Sequence, residues 1–460
     1  MSVTRTIESL FRRFLPSPFA IAVLLSLLTF LLGGFFGAFP DGRNPWSGTL
    51  RAWESGLWNR DLLVFAYQMM LILVLGHVLV LSKPAEKLIG ILTARAGSAA
   101  GAALLVASTT MLVSFFNWGL GLIFGAILAR KVGEHALKNK IPINYPLIGA
   151  CGYLGLMVWH GGISGSAPIK ASEAGHLDSL LRGVLPETSL AALPGSIPTS
   201  ETVFGFWNLC IFLAVLFTVS GLAYWLGRST RTRAVELPEY RFDTAPGPDG
   251  PGHGAERMDR SPWLSTLFAL LIFTAFLLQY LPDLRELNLS PDMLNFFMLG
   301  LALLLHGNFR NFLHAVESAI GDTAGILIQF PLYFGIMGIM TEAGLIHRIS
   351  DFFIAISSEW SFPLFTFFSA GLVNLFVPSG GGQWAVQGPI ILEAALQLGV
   401  PLPKALMSLA YGDQLTNMLQ PFWALPLLGI TRLKAREILP YSLLFMCLAG
   451  VVYLLGLMLW

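Results

Sequence analysis

Apolar runs long enough to cross a bilayer recur along this chain and dominate its pattern. A helix crossing a hydrocarbon core of about 30 Å needs roughly 20 predominantly apolar residues. Such runs lie near 17–38, 61–82, 96–116, 144–168, 202–227, 262–281, 294–306, 322–342, 361–377, 405–430 and 439–460. Shorter apolar pieces at 119–129 and 384–398 read as half-spans. The pattern predicts an all-α polytopic membrane protein with about eleven transmembrane helices plus re-entrant half-helices.

Four polar breaks interrupt the pattern: SFFNWGLG at 114–121, HGGISGSAP at 160–168, NLFVPSGGGQW at 374–384 and GDQLTNMLQP at 412–421. Each puts small or amide residues where the bilayer cannot hydrate a freed backbone group. Such backbone is tolerated only where protein buries it or a wet cavity receives it. A helix that restarts after a break offers unpaired N–H groups carrying a partial positive charge, which can hold an anion without Arg or Lys. Packing notches are the plain alternative for any one of these glycines. The breaks supply a candidate substrate-binding set of Ser114, Asn117, Trp118, Gly121, His160, Asn374, Ser379, Gly380, Gly381, Gln383 and Trp384. Asp413 is the one acidic residue well inside a predicted span, and a carboxylate there is a functional candidate by default. It can carry a coupling proton, ligate Na⁺, or pair with Gln414 or Asn417; Thr416, Asn417 and Gln420 complete the candidate ion set. His160 can donate to substrate, relay a proton, or be a satisfied core histidine. No cofactor is expected, and Na⁺ is the one metal ion entertained.

Composition agrees with a membrane class: 55% of residues are hydrophobic, 12% are charged and mean hydropathy is +0.67, against about 25% charged in soluble domains. A net charge of +1 gives no reason to expect nucleic acid. The placement of the 28 Lys and Arg residues says more. All but Arg43, Arg51, Arg60, Lys170, Arg182, Arg285, Arg348 and Lys404 fall on the side of the N-terminus when sides alternate. The positive-inside rule makes that side cytoplasmic, and an odd number of crossings puts Trp460 outside. FRRFLPSP at 11–18 resembles a twin-arginine signal, but the long run after it and ten more spans favour an uncleaved first helix. Cys151, Cys210 and Cys447 show no metal-ligand spacing.

The Pro-, Gly- and charge-rich segment 228–261 reads as a cytoplasmic linker between two membrane halves, 1–227 and 262–460. A shift of 260 residues lays Phe116 on Phe376, Gly121 on Gly381, Ala150 on Ala410 and Gly152 on Gly412. The basic loop RKVGEHALKNK (130–140) falls inside, whereas its partner loop LGVPLPK (398–404) falls outside. The halves are therefore expected as inverted repeats, an architecture recurrent in secondary transporters.

FVPSGGGQWAVQGPI, with FNWGLGLIFGAILAR before it and LAYGDQLTNMLQPFWALPLLGI after it, resembles the short-chain fatty acid transporter family of bacteria over nearly the full length. The resemblance implies uptake of small monocarboxylates such as acetoacetate or butyrate across the inner membrane, driven by H⁺ or Na⁺. It further implies the ion transporter superfamily fold, with re-entrant hairpins, an elevator motion and a homodimer. On this reading the tips at 114–121 and 379–383 face each other across a midplane cavity. The helices at 17–38, 202–227 and 262–281 stay behind as scaffold. A dicarboxylate or other organic-anion carrier is the runner-up and a channel the next rival. A membrane enzyme finds no support, since HExxH, GxSxG and paired carboxylates are all missing.

Overall fold

The computed structural model describes residues 16–39, 42–173, 175–181, 194–229, 254–285 and 291–460. Arg12 and Arg13 of the FRRF stretch and most of the 228–261 linker lie outside the described residues. In chain order the helices of six or more residues are α1 (Pro18–Phe36), α2 (Pro45–Leu57), α3 (Arg60–Val80), α4 (Lys83–Thr93), α5 (Ala99–Phe116), α6 (Trp118–Lys138), α7 (Tyr145–Cys151), α8 (Ser166–Ser172), α9 (His176–Leu181) and α10 (Phe206–Ser229). They continue as α11 (Pro262–Arg285), α12 (Pro291–His306), α13 (Phe309–Ile320), α14 (Ala324–Glu342), α15 (Leu345–Ala355), α16 (Phe362–Asn374), α17 (Gly380–Leu398), α18 (Leu402–Thr416), α19 (Pro421–Thr431) and α20 (Ala435–Leu459). A short 3₁₀ turn at Leu154–Met157 precedes the second break, and another at Asn417–Leu419 lies inside the fourth.

Local chemistry sets many of these starts. Ser17, Asn44, Asn59 and Ser98 each accept a first-turn N–H, and prolines follow at the head of α1 and α2, where a missing N–H costs nothing. Seven helices among the described residues are long and apolar enough to cross a membrane: α1, α3, α5, α10, α11, α14 and α20. The molecule is a multi-pass membrane protein.

Three expectations change. RKVGEHALKNK is not a loop: α6 continues to Lys138, carried by pairs of Glu134 with Arg130 and Lys131, each at 2.9 Å. The half-span at 119–129 is therefore a 21-residue helix. The second half-span also starts earlier, because Gly380, Gly381 and Gly382 form the first turn of α17. The break there shrinks to the residues just before, with Ser379 as its cap. Finally α2, α4, α13 and α15 are amphipathic helices of 11–13 residues. At 1.5 Å per residue they are too short to cross, and their mixed composition hid them from a search for long apolar runs.

Packing sorts the helices into two groups that cut across the halves. In one, α10 lies on α5 and α20, α16 lies on α18, and α19 lies on α6. In the other, α14 lies on α1 and α2, and α12 joins α3 to α11. The run at 202–227, expected as scaffold, thus sits with the hairpins instead. Cys151 is buried, while Cys210 and Cys447 face outward.

One backbone-to-backbone crossing in the first group has no room for a side chain. A Cβ on Gly125 of α6 would stand 2.2 Å from the Gly152 carbonyl oxygen, and one on Gly152 would stand 2.5 Å from that of Gly125. Gly152→Ala should lower stability by about 1–3 kcal/mol, a usual cost of overpacking, read as an earlier melt of the detergent-solubilised protein. Gly221→Ala, which meets nothing within 4 Å, should melt like wild type or later. Equal melts for the two variants would contradict the crossing.

Candidate functional site

The first break is a single residue. Asn117, extended at φ −149°, ψ 124°, ends α5 and caps α6, its Oδ1 accepting the Leu120 N–H at 2.9 Å. Ser114 is fully buried one turn back, and a Cβ on Gly121 or Gly155 would lie 1.8 Å from its Oγ. Ser114 and Gly121 thus form a close crossing and face no opening.

The second break clamps this tip. Ile163 N–H donates to the Phe115 carbonyl at 2.8 Å, and Trp118 N–H donates to Ser164 Oγ at 2.9 Å. Its opening residues are the centre of the site. Backbone N–H groups of His160 and Gly161 both donate to Gln414 Oε1, at 2.8 and 3.0 Å. His160 Nδ1 hydrogen-bonds Asp413 Oδ2, and the two side chains are 0% and 1% exposed. Ala167 N–H donates to His160 Nε2 at 3.0 Å. That bond needs the Nε2 lone pair, so the ring of a neutral imidazole carries its proton on Nδ1 and gives it to Asp413. With Asp413 ionised, the pair bears one net negative charge. Asp413 Oδ1 is buried with no hydrogen-bond partner.

The last two breaks close around the same place. Asn374 Nδ2 donates to the Asp413 carbonyl at 2.7 Å, Thr416 Oγ1 at 2.9 Å and Asn417 Oδ1 at 2.7 Å, and Gln420 Nε2 donates to the Asn374 carbonyl. Asn374, expected with the substrate set, thus joins Asp413, Thr416, Asn417 and Gln420 in one cluster. Tyr153 adds a hydroxyl bonded to the carbonyls of Asn417 and Gln420, both at 2.8 Å. Ser379 Oγ caps Gly382 N–H at 3.2 Å. Gly380 packs on the ring edges of Trp159 and His160, where a Cβ would come within 2.7 and 2.8 Å, while Gly381 is exposed. Gln383 turns into its own hairpin, donating to the Ala370 carbonyl and Gln387 Oε1. Trp384 points toward the 170–181 segment, its indole N–H donating to His176 Nε2 at 3.0 Å.

The hairpin tips therefore meet through the second break rather than only across a cavity: Trp118 holds Ser164, and Gly380 rests on Trp159 and His160. Several central residues went unnamed in the candidate set. Gln414, Asn208, Tyr411 and Tyr453 make a buried chain in which Gln414 Nε2 donates to Tyr453 OH, Tyr453 to the Met157 carbonyl, Tyr411 to Asn208 Oδ1, and Asn208 to the Gly161 carbonyl. Polar side chains isolated in apolar runs, such as Asn208 in FWNLC and Tyr453 in GVVYLLG, were the available signal.

Comparison with known proteins is consistent across the chain. The profile of the family described as short chain fatty acid transporter matches residues 1–460. A protein of Escherichia coli (strain K12), provisionally named a short-chain fatty acid transporter, is 35% identical over 99% of this chain and 98% of its own. One of Haemophilus influenzae (strain ATCC 51907 / DSM 11121 / KW20 / Rd), with the same provisional name, is 33% identical over 99% and 98%. Among solved structures, the YdaH transporter of Alcanivorax borkumensis aligns over 96% of this chain and 98% of its own at 17% identity. Its TM-score of 0.43 is too loose to assign topology.

The contact between α9 and α17 should respond to pH. His176 titrates below the usual histidine range because burial disfavours its cation, with Glu173 opposing and Lys170 reinforcing that shift. Its neutral ring accepts from Trp384; the cation has no lone pair left to do so. A lowered histidine pKa means the contact is complete above the ordinary value and is lost as pH falls through the folded one. Trp384 fluorescence should therefore change on acidification below about pH 6.5, and His176→Gln should flatten the profile. An unchanged profile in that variant would place the response elsewhere.

Proposed function

The chain belongs to the short-chain fatty acid transporter family, and on that premise we propose that it takes up small monocarboxylates such as acetoacetate or butyrate by proton symport. The single observation that carries the coupling is the buried bridge from His160 to Asp413, which joins the second break to the fourth. As bonded, it holds one negative charge where water is scarce, and an uncompensated buried charge costs several kcal/mol. A substrate carboxylate arriving nearby adds a second like charge, and two such charges repel strongly in a low dielectric. A proton on the unpartnered Asp413 Oδ1 removes one of them. Acid and proton then bind together and can cross together.

One free carboxylate oxygen suits a proton. Na⁺ is a second reading, favoured by the partnerless Asn374 Oδ1 and Gln420 Oε1 near the same carboxylate. The motion proposed is an elevator. The group built on α5, α6, α10 and α16–α20 carries the site, while α1, α2, α3, α11, α12 and α14 stay fixed. Element order supports inverted repeats: a shift of 260 residues brings α3, α4, α5 and α6 into step with α14, α15, α16 and α17. α11 packs chiefly on α12 and exposes Trp263 and Leu278 by more than 80%, so it is the proposed dimer or lipid face. Charge placement supports an inner-membrane setting with the N-terminus cytoplasmic and the C-terminus periplasmic.

Proteoliposomes with an alkaline interior should accumulate labelled acetoacetate above protein-free liposomes, which correct for leak of the undissociated acid. Asp413→Asn should lose accumulation while keeping substrate exchange. Replacing Na⁺ by choline should leave the wild type unchanged; a requirement for Na⁺ would transfer the coupling to the second reading. Full accumulation by Asp413→Asn would overturn the assignment.

A further inference from the structure

Trp159 and Trp423 are each only 5% exposed, and both indole N–H groups lack a hydrogen-bond partner. An indole nitrogen can only donate, and a buried donor left without an acceptor costs about 1–3 kcal/mol. The two rings flank Trp118, whose centroid lies 6.0 Å from that of Trp159 and 5.3 Å from that of Trp423. Two further buried donors lack partners, one on a ring packed against Phe422 and one in the 3₁₀ turn that precedes α19. Tyr333 OH is buried, its ring 4.8 Å from that of Phe422 beside Trp423. Asn417 Nδ2 is the other. The amide orientation of Asn417 is fixed by Asn374, whose Nδ2 must face the Asp413 carbonyl and therefore meets Asn417 Oδ1.

Backbone adds to the same side. Trp423 stands in the first turn of α19, an 11-residue helix whose N-terminus has no side-chain cap. The N-termini of α6 and α17 are capped by Asn117 and Ser379. α19, like the shorter α8, is thus a restarting helix without a side-chain cap on its positive end, and the Trp423 indole donor sits in the first turn of α19. Every one of these groups donates. The indole and amide N–H groups can only donate and the Tyr333 hydroxyl donates as well, so carboxylate oxygens suit them all, whereas an uncharged alkane would leave them unmet.

We propose that this cage is the carboxylate site of the transporter, with the Trp159 and Trp423 indole N–H groups holding the substrate oxygens and the short alkyl chain lying on the face of Trp118. The assignment rests on the monocarboxylate reading above and moves the anion away from the glycines of α17. Gly380 touches the Cη2 end of Trp159, across the ring system from the indole nitrogen. Trp118, half-buried between two buried rings, is the wall through which the acid enters. The anion then sits near Trp159, which stacks on His160 at 4.5 Å, and so within electrostatic reach of the His160–Asp413 pair.

The test uses the whole protein labelled with ¹⁵N-indole tryptophan in nanodiscs, titrated with sodium butyrate at pH 7. Two indole N–H signals should move downfield: the one missing from the spectrum of Trp159→Phe and the one missing from that of Trp423→Phe. Each Phe variant keeps an aromatic ring and should weaken butyrate binding by about tenfold or more, the effect of losing one hydrogen bond to a charged group. Trp225→Phe, on the exposed face of α10, should bind like wild type. If wild-type protein binds butyrate while both signals stay in place, the cage is wrong and the transport reading stands. If wild-type protein binds and transports no monocarboxylate, the reading beneath it fails.

Discussion

A helix broken inside a bilayer must find partners for its freed peptide groups within the protein, because no water is at hand. Here the four breaks satisfy one another. Phe115 gives its carbonyl to Ile163, and Gln414 takes the N–H groups of His160 and Gly161. Asn374 serves the Asp413 carbonyl, Gln420 serves that of Asn374, and Tyr153 serves those of Asn417 and Gln420. Most of these bonds reach across more than 250 residues or between separate helices. Removing one break would strand polar groups in another, so the breaks stand or fall as a unit. That mutual satisfaction explains why α10 and α20, which supply Asn208 and Tyr453 to the network, pack with the hairpins.

The same network places a charge where charge is expensive. His160 is held by its own N–H, by the Ala167 N–H on Nε2 and by Asp413 on Nδ1, so its tautomer is dictated by a backbone group that cannot titrate away. Asp413 is left with one engaged and one bare oxygen. The arrangement is poised for a neutralising ion without being a closed salt bridge. The cage of indole donors next to it offers the complementary function, a place for the anion whose charge the ion must offset.

Much of this was legible in the sequence. Long apolar runs predict most of the spanning helices, and the four breaks are where polar residues interrupt those runs. Asp413 and His160 stood out because each is an ionisable residue in an apolar stretch. The amphipathic helices α2, α4, α13 and α15 were not legible, since a search tuned to long apolar runs discards short mixed ones. Pairwise geometry was equally hidden. Nothing in HGGISGSAP says that its histidine faces Asp413 rather than substrate, or that Ser114 and Gly121 press together. Nor could the pattern reveal that Trp159 and Trp423 lack acceptors, because satisfaction of a donor is a property of the packed state alone.

The coupling of acid to proton can be read without a membrane. Detergent-solubilised protein in weakly buffered solution, mixed with butyrate at neutral pH, should take up protons as the anion binds. The uptake should saturate with occupancy and vanish in Asp413→Asn. Binding with no proton uptake, or with the same uptake in that variant, would contradict the role given to the buried pair.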